Sequence, residues 1–527
     1  MADAVVVGAG HNGLVAANML ADAGWDVVEL EGTAHVGGAV RSAEVAAPGY
    51  LSDLCSAFYP LTPLSPAMRP LALQDHGLTW THAPAVLAHL LADGRAALLS
   101  RDLDTTRASL DSFATGDGDR WAALYREWLA VADDLVPAML TPFPPVRAAT
   151  RLLTRNSVAD TIRLARRFVQ PTRLFGDRTF GGEGAQVLLA GLALHTDLSP
   201  DGSASAGFGW LLGMLGQQVG FPVPVGGAQR ITDALVSRLR ARGGVIETDA
   251  MVTQVVVGNG TALGVRCADG RAVRARKAVL ADVPAPTLYR SLVGAGHLPE
   301  RLLDDLDMFE WDDATMKIDW ALSARVPWIN PDVAGAGTVH LGADLDGLTR
   351  YSTDITLGRA PREPFLLVGQ MTTSDPVRSP AGTESLWAYT HLPHKDRWDD
   401  GEVAAHAELI EDVLERHAPG FRSLIVGRHV AGPPQLAEKN PSLVGGAINA
   451  GTAGVHQQLF LRPVPGLGRA DTPVDRLYLA GASAHPGGGV HGAPGANAAR
   501  AALARHRFLL GGAYGASMRA LNRAIYG

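Results

Sequence analysis

This 527-residue chain is poor in cysteine and free of long apolar runs, and each shortage removes a class of protein from consideration. Cys55 and Cys267 are the only cysteines and form no C-x-x-C, so no disulfide framework, cysteine-based metal site or dithiol redox pair is expected. A reducing compartment fits that usage. The chain opens Met-Ala-Asp and runs at once into Val5-Val6-Val7-Gly8, without a basic segment, an apolar segment and a cleavage site in succession. A cytoplasmic location is the expectation. No stretch of about 18 uncharged apolar residues occurs, which argues against a spanning helix and leaves peripheral membrane contact open. H-E-x-x-H, G-x-S-x-G and acidic metal clusters are all missing, so no metal site is expected and hydrolase chemistry has no starting point. A formal charge of −7 argues against a nucleic-acid partner.

What is present is a globular composition, 47% hydrophobic and 19% charged, with 60 Gly and 33 Pro spread along the chain. Residues 4 to 31 read as strand, glycine turn, helix and strand. From about 50 to 220 the pattern turns helical and loop-rich, with no strand run of comparable strength. At 225 to 290 a Gly226-Gly227 turn leads to a helix with Ile231, Leu235 and Leu239 on one face. A meander follows, turned by Asn259-Gly260 and Asp269-Gly270, dipeptides that favour the positive φ of tight hairpins. Ala278 to Asp282 reads as a short buried strand. Mixed strands and a helix near 402 to 416 occupy 291 to 470. Leu477-Tyr478-Leu479-Ala480-Gly481 then repeats the apolar strand ending in Gly. The fold expected is α/β: a discontinuous Rossmann-type domain with a β-meander from 1–60, 221–290 and 470–510, a mostly helical cap over 61–220, an α+β substrate domain over 291–469, and a tail over 511–527.

Gly8-Ala9-Gly10-His11-Asn12-Gly13 matches G-x-G-x-x-G and lies between a strand and a helix, the context that gives the pattern meaning. Gly8 permits the turn, Gly10 lets a pyrophosphate approach the backbone, and Gly13 lets the helix pack on the strand. Free N–H groups at the helix start, Asn12 included, face the anion. Glu31, 18 residues beyond Gly13, is the candidate ribose carboxylate, with Glu29 as the alternative. Gly37-Gly38-Ala39-Val40-Arg41 follows, where Gly38 allows close passage and Arg41 offers a guanidinium to a pyrophosphate.

The third element is the run from Leu477 through Ala482-Ser483-Ala484-His485-Pro486-Gly487-Gly488-Gly489-Val490-His491-Gly492 to Gly495. Together with the N-terminal motif and Pro224-Val225-Gly226-Gly227, it resembles the phytoene desaturase family of flavin amine-oxidase-like enzymes. Within that family it looks most like the branch containing carotenoid ketolases and the animal pyridine nucleotide-disulphide oxidoreductase domain-containing protein. The likeness covers about half the chain and is weak over 60 to 220 and 330 to 430. It implies an FAD cofactor, with Gly481 and Ala482 near the ribityl and phosphate groups, the backbone of Gly489 and Val490 against the isoalloxazine, and the backbone of Val252 near the adenine. A helix beginning after Gly492 would set its positive end near the flavin N1 and C2 carbonyl. Gly487 to Gly492 also fits G-x-G-x-x-G, but too little chain follows for a second βαβ unit.

His485 and His491 are candidate catalytic acids or bases, against the alternative of loop histidines bonded to backbone. Lys317 reads as lining a cavity or as paired with Asp319. Pro145 to Arg178 carries eight arginines interleaved with apolar residues, so 147–178 reads as a peripheral membrane contact or as a solvated cap. The apolar run Gly207 to Leu215 suits a channel for a greasy substrate or plain core. The partner expected is therefore a hydrophobic small molecule, an extended carotenoid, isoprenoid or fatty-acyl compound that FAD dehydrogenates. Isomerisation, ketolation, amine oxidation and a catalytically silent FAD-binding scaffold are the alternatives.

Overall fold

The computed structural model describes residues 1–395, 397–466 and 468–527. Its first strand, Ala2–Val7, is buried along its whole length, as a mostly apolar strand with parallel neighbours on both sides must be, and its one acid, Asp3, pairs with Arg276 and Lys277. Those neighbours are Val27–Leu30 and Ala272–Ala281, flanked in turn by Val245–Glu247 and Leu477–Leu479. Five parallel strands from the start, middle and end of the chain thus share one sheet. The expected Rossmann-type architecture is present.

Helices His11–Asp22, Gln229–Ala241 and Ala493–Arg505 bury their apolar residues against one face of this sheet. Ile231, Leu235 and Leu239, spaced for one helical face, are all fully buried there. The helix Ala493–Arg505 crosses so close to the first helix that a Cβ on Gly495 would stand 1.9 Å from the Asn12 carbonyl oxygen. The meander appears as Val252–Gly258, Thr261–Cys267 and Ala272–Ala281, all antiparallel. Its last strand is continuous where two were expected: Ala272 to Lys277 alternates exposed and half-buried in the meander, and Ala278 to Ala281 is wholly buried in the parallel sheet. One strand serves two sheets because its periodicity changes midway.

A second sheet runs in the order 425–431, 314–322, 384–392, 366–370, 336–341, 85–90, 96–99. Two of its strands, Ala85–Leu90 and Ala96–Leu99, come from the stretch read as mostly helical, so that stretch also contributes to the second sheet. Ala85–Leu90 is apolar but short, and it gains its place by parallel pairing with Ala336–Leu341, a partner far away in sequence. Helix Asp400–His417 covers one face of the sheet. Helices Asp117–Leu140, Glu183–Ala193 and Ser205–Val219 cover the other. The run Gly207 to Leu215 lies in the last of these, with Trp210, Met214 and Leu215 fully buried, so it is core. The stretch read as a C-terminal tail is a helix, Gly511–Tyr526, held by Arg519 to Asp475 and by Asn522 to the Thr472 carbonyl.

A buried ion cluster joins the two sheets. Arg378, with no exposed surface, pairs with Asp53 at 3.0 Å and Asp375 at 2.8 Å, while the same carboxylates accept the Ala228 and Gly226 N–H groups. Pro224-Val225-Gly226-Gly227 is thereby fixed between the domains. Removing one member of such a cluster costs about 3–5 kcal/mol, because the charge left behind is buried without a partner.

Candidate functional site

At the C-terminal ends of the parallel strands lies a cleft that opens to solvent. Gly8, Gly10, Asn12, Glu31, Gly38, Arg41, Val252 and Ala482 all line it. Gly13 lies beneath, where a Cβ would fall 2.1 Å from the Gly8 carbonyl oxygen, so only glycine lets this helix sit on this turn. Gly37 bonds back to the Ala9 carbonyl at 2.8 Å and lays the glycine pair along the turn. Gly481 stands behind Ala482, against the backbone of Val283. Gly489 and Val490 lie outside the cleft lining and are tied to it through the half-buried His11, whose Nε2 is 3.2 Å from the Gly489 carbonyl oxygen.

The second strand ends at Leu30, so Glu29 keeps the strand's direction while Glu31, just past its end, is free to turn differently. Glu31 turns into the cleft, accepting the Ala9 N–H and both Thr33 donors at 2.9 Å. Glu29 turns into the interior, fully buried, with neither oxygen partnered among the described residues. Burial, with Asp282 and Glu31 adding to it, pushes the Glu29 carboxyl well above the usual range, so it is held protonated. Glu31 is the group a ligand in the cleft can reach.

The cleft fits a dinucleotide. Helix geometry leaves the first-turn N–H groups without intrahelical acceptors. The Gly13 N–H goes to Asp282 Oδ2 at 2.8 Å, leaving those of His11 and Asn12 for an anion. Asn12 Oδ1, buried, has no partner among the described residues, and Arg41 has no ion-pair partner among them either. Asp282 went unnoticed in the sequence because it sits just past the end of a strand, with no motif around it. A carboxylate directly after an apolar strand whose neighbour carries the glycine turn was the available signal.

The loop from 485 to 492 is held by backbone and side-chain bonds at several points. Thr62 donates to the Val490 carbonyl and Ser65 to the His491 carbonyl. His491 accepts the Ala493 N–H at Nδ1 and pairs through Nε2 with the Gly488 carbonyl at 3.2 Å, so both its nitrogens serve the loop. Burial lowers it to about 3. His485 pairs through Nε2 with the Thr141 carbonyl, its Nδ1 is unpartnered among the described residues, and burial lowers it to about 4. Arg462, also unforeseen, is buried and donates to the carbonyls of Asn449, Thr452 and Ala482, joining one cleft wall to this loop.

Strand register builds a second polar region. Facing the three helices, the second sheet presents Lys317 beside Tyr389, Thr315 beside His391, and His340 beside His89. The alternate residues, Met316, Ile318, Val339 and Ala388 among them, form the apolar face against helix Asp400–His417. Lys317 pairs with Asp319, as expected from sequence. His391 Nδ1 lies 3.1 Å from Asp197 Oδ1 without hydrogen-bond alignment, and His195 and His340 meet Nε2 to Nε2 at 2.9 Å. Burial, then Asp312, raises the Asp197 carboxyl well above its usual range. Asp313 is pushed up to about 8 by burial and by Asp197. Burial lowers His195 to about 3 and His340 well below its usual value. The result is a set of neutral acids beside neutral imidazoles, suited to passing a proton. Asp312 accepts the Ile448, Asn449 and Gly451 N–H groups, which connects this region to the cleft wall.

Pyridine nucleotide-disulfide oxidoreductase domain-containing protein 2 of Mus musculus is 28% identical over 541 residues, covering 94% of this chain and 92% of its own. Hydroxyneurosporene desaturase of Cereibacter sphaeroides is 26% identical over 515 residues, covering 95% and 97%. Among solved structures, an oxidoreductase from Methanosarcina mazei matches with a TM-score of 0.62 at 16% identity, covering 95% of this chain and 99% of that one, which speaks to the fold alone. The family model for flavin containing amine oxidoreductases matches residues 13–503, nearly the whole chain. With the glycine cradle and its cleft already in place, the chain belongs to the flavin containing amine oxidoreductase family and is an FAD-dependent oxidoreductase.

Proposed function

We propose that this protein dehydrogenates an extended hydrophobic substrate of carotenoid, isoprenoid or fatty-acyl class. The observation that carries the proposal is the apolar cluster of the three helices and the second sheet. It includes Ala493, just after the 485–492 loop, and Phe58, Leu61 and Leu64 pack against it. A relative named a desaturase aligned along the whole chain supports the same reading. Bound FAD supplies a two-electron acceptor. Glu31 would hold its ribose, Arg41 and the first-turn N–H groups of His11 and Asn12 its diphosphate, and Val252 and Ala482 would line its path. Gly489 and Val490 would offer backbone to its ring. Trp387 and Tyr389, stacked at 5.8 Å, would orient an apolar chain. The neutral imidazole of His391 would take up the proton that leaves the substrate, with Asp197 beside it, and His485, whose Nδ1 is unpartnered among the described residues, is the alternative acceptor.

Amine oxidation is the second reading, favoured by Asp197, Asp312 and Asp313 standing together, where a raised carboxyl could pass its proton to an amine and hold the ammonium so formed. Anaerobic mixing of the holoenzyme with detergent-solubilised polyisoprenoids, fatty-acyl compounds and long-chain alkylamines separates the two. Bleaching of the flavin absorbance by the alkylamines alone refutes the first reading.

The segment 147–178 folds as helices Val146–Arg155, Val158–Arg167 and Thr172–Thr179. Val146, Leu153, Val158 and Ile162 are all more than half exposed there. Among the described residues Arg147 and Arg166 have no ion-pair partner, whereas Arg167 is 12% exposed, pairs with Glu127 and lies over Trp210. We propose peripheral contact of this surface with anionic lipid, where each basic residue contributes on the order of 1 kcal/mol. Changing Arg147, Arg163 and Arg166 together to Gln is expected to lower co-sedimentation with anionic liposomes at low salt without changing flavin content. Equal binding by the variant overturns the contact.

A further inference from the structure

Asp282 occupies an unusual place for an acid. It follows the strand Ala272–Ala281, its own N–H bonds to the Val7 carbonyl at 2.8 Å, and its carboxyl reaches over the glycine turn to the Gly13 N–H. A Cβ on Gly10 would stand 2.6 Å from Asp282 Oδ2, so the carboxyl lies directly against the turn that the diphosphate must approach. An ionised carboxylate there would take one of the donors of the helix end and set a negative charge beside a second anion. The charged and titratable groups around it come from four directions. The buried Glu29 stands on the second strand and Glu31 just past its end, His11 on the helix, Arg41 on the glycine-pair loop and Lys439 on the opposite wall.

We propose that Asp282 must carry a proton for FAD to bind tightly, so that this residue sets the pH range over which the protein holds its cofactor. A protonated carboxyl donates its O–H to a phosphate oxygen and keeps an acceptor for the Gly13 N–H, whereas the carboxylate can only repel. The apoprotein sits near the balance point: burial, partly offset by the Gly13 hydrogen bond and reinforced by Glu31, pushes Asp282 up to about 7. A bound diphosphate, by excluding water and adding negative charge, would raise it further. The linkage sign follows. Affinity is highest below the apoprotein value and falls as pH rises above it.

The proposal rests on the cleft being the FAD site, and flavin fluorescence titration of the apoprotein with FAD, from about pH 6 to about pH 8.5, tests it without any substrate. For the parent protein Kd is expected to rise about tenfold per pH unit above neutrality. Asp282→Asn, which keeps an oxygen for Gly13, is expected to flatten the profile and to bind more tightly than the parent at the alkaline end. Glu29→Gln is expected to keep the parent's slope. A flat parent profile, a persisting slope in Asp282→Asn, or loss of the slope in Glu29→Gln overturns the proposal. Should the Asn variant fail to fold, calorimetry of the parent in buffers of differing ionisation enthalpy decides. Uptake of about one proton per FAD above neutrality is expected, and none refutes it. Gly10→Asp tells the two failures apart. If that variant still binds FAD the cleft assignment itself is wrong, and if it does not, only the role of Asp282 is.

Discussion

Replacing Gly10 by alanine isolates close approach from every other property of glycine. Gly10 sits at φ −70° and ψ 172°, extended backbone that any residue adopts, so the substitution carries no backbone strain. Its added methyl has nowhere to go. It would meet Asp282 Oδ2 at 2.6 Å, force that carboxyl off the Gly13 N–H, and stand between the backbone and the diphosphate. Losing one hydrogen bond to a charged group costs about 1.5–3 kcal/mol, and holding a phosphate away from a backbone N–H costs a similar amount, with partial relaxation offsetting some of the sum. A net loss of about 2–4 kcal/mol corresponds to a roughly 30- to 1000-fold rise in the FAD Kd. Fluorescence titration of apoprotein measures it, and thermal unfolding of the apoprotein should fall modestly, because the Asp282–Gly13 hydrogen bond is lost there too. A Kd within about threefold of the parent's would refute the reasoning, because the turn would then not be where cofactor and backbone meet. Part of the effect acts through Asp282, so in an Asp282→Ala background the same change should cost at least about 1 kcal/mol less.

Other consequences are as direct. Glu31→Gln is expected to weaken FAD binding about tenfold, since the charge-assisted acceptor is lost. Its circular dichroism should stay that of the parent, and unchanged affinity would move the ribose contact elsewhere. Asp313, raised in the folded state above its unfolded value near 3.8, favours folding at low pH and loses that contribution as pH rises through about 8. Asp313→Asn should therefore raise the Tm at alkaline pH and leave it nearly unchanged near pH 4; an equal gain at both would sink the linkage. Lys317→Met leaves Asp319 buried without its partner and is expected to lose about 3–5 kcal/mol in denaturant unfolding, whereas Lys317→Met combined with Asp319→Leu should recover most of that loss. Failure of the second change to restore stability would show that the pair does more than neutralise itself.

The glycine turn, its strand and helix, the carboxylate Glu31 and the returning strand Leu477–Leu479 were legible in sequence because each depends on short-range rules. These are a period of two or of 3.6, a turn that needs glycine, and a charge at the end of a strand. The same rules recovered Ile231, Leu235 and Leu239 as one buried face. They failed at Ala85–Leu90, where a short apolar run becomes a strand only by pairing with residues about 250 positions away. They failed also at Gly511–Tyr526, whose packing on the segment 471–475 no local pattern announces.

Sequence by itself determined that a dinucleotide cradle exists and which residues form its turn, because hydrogen-bonding and steric needs of that turn are met within one contiguous segment. Only tertiary structure decided which of two carboxyls faces the cleft and that Asp282 presses on the glycine turn. It alone spent the nitrogens of His491 on its own loop and ranged His89, His340 and His391 along one face of the second sheet. Those facts arise from register and crossing between segments hundreds of residues apart, where the energy of any one contact is small and only the closed set of pairings selects the arrangement.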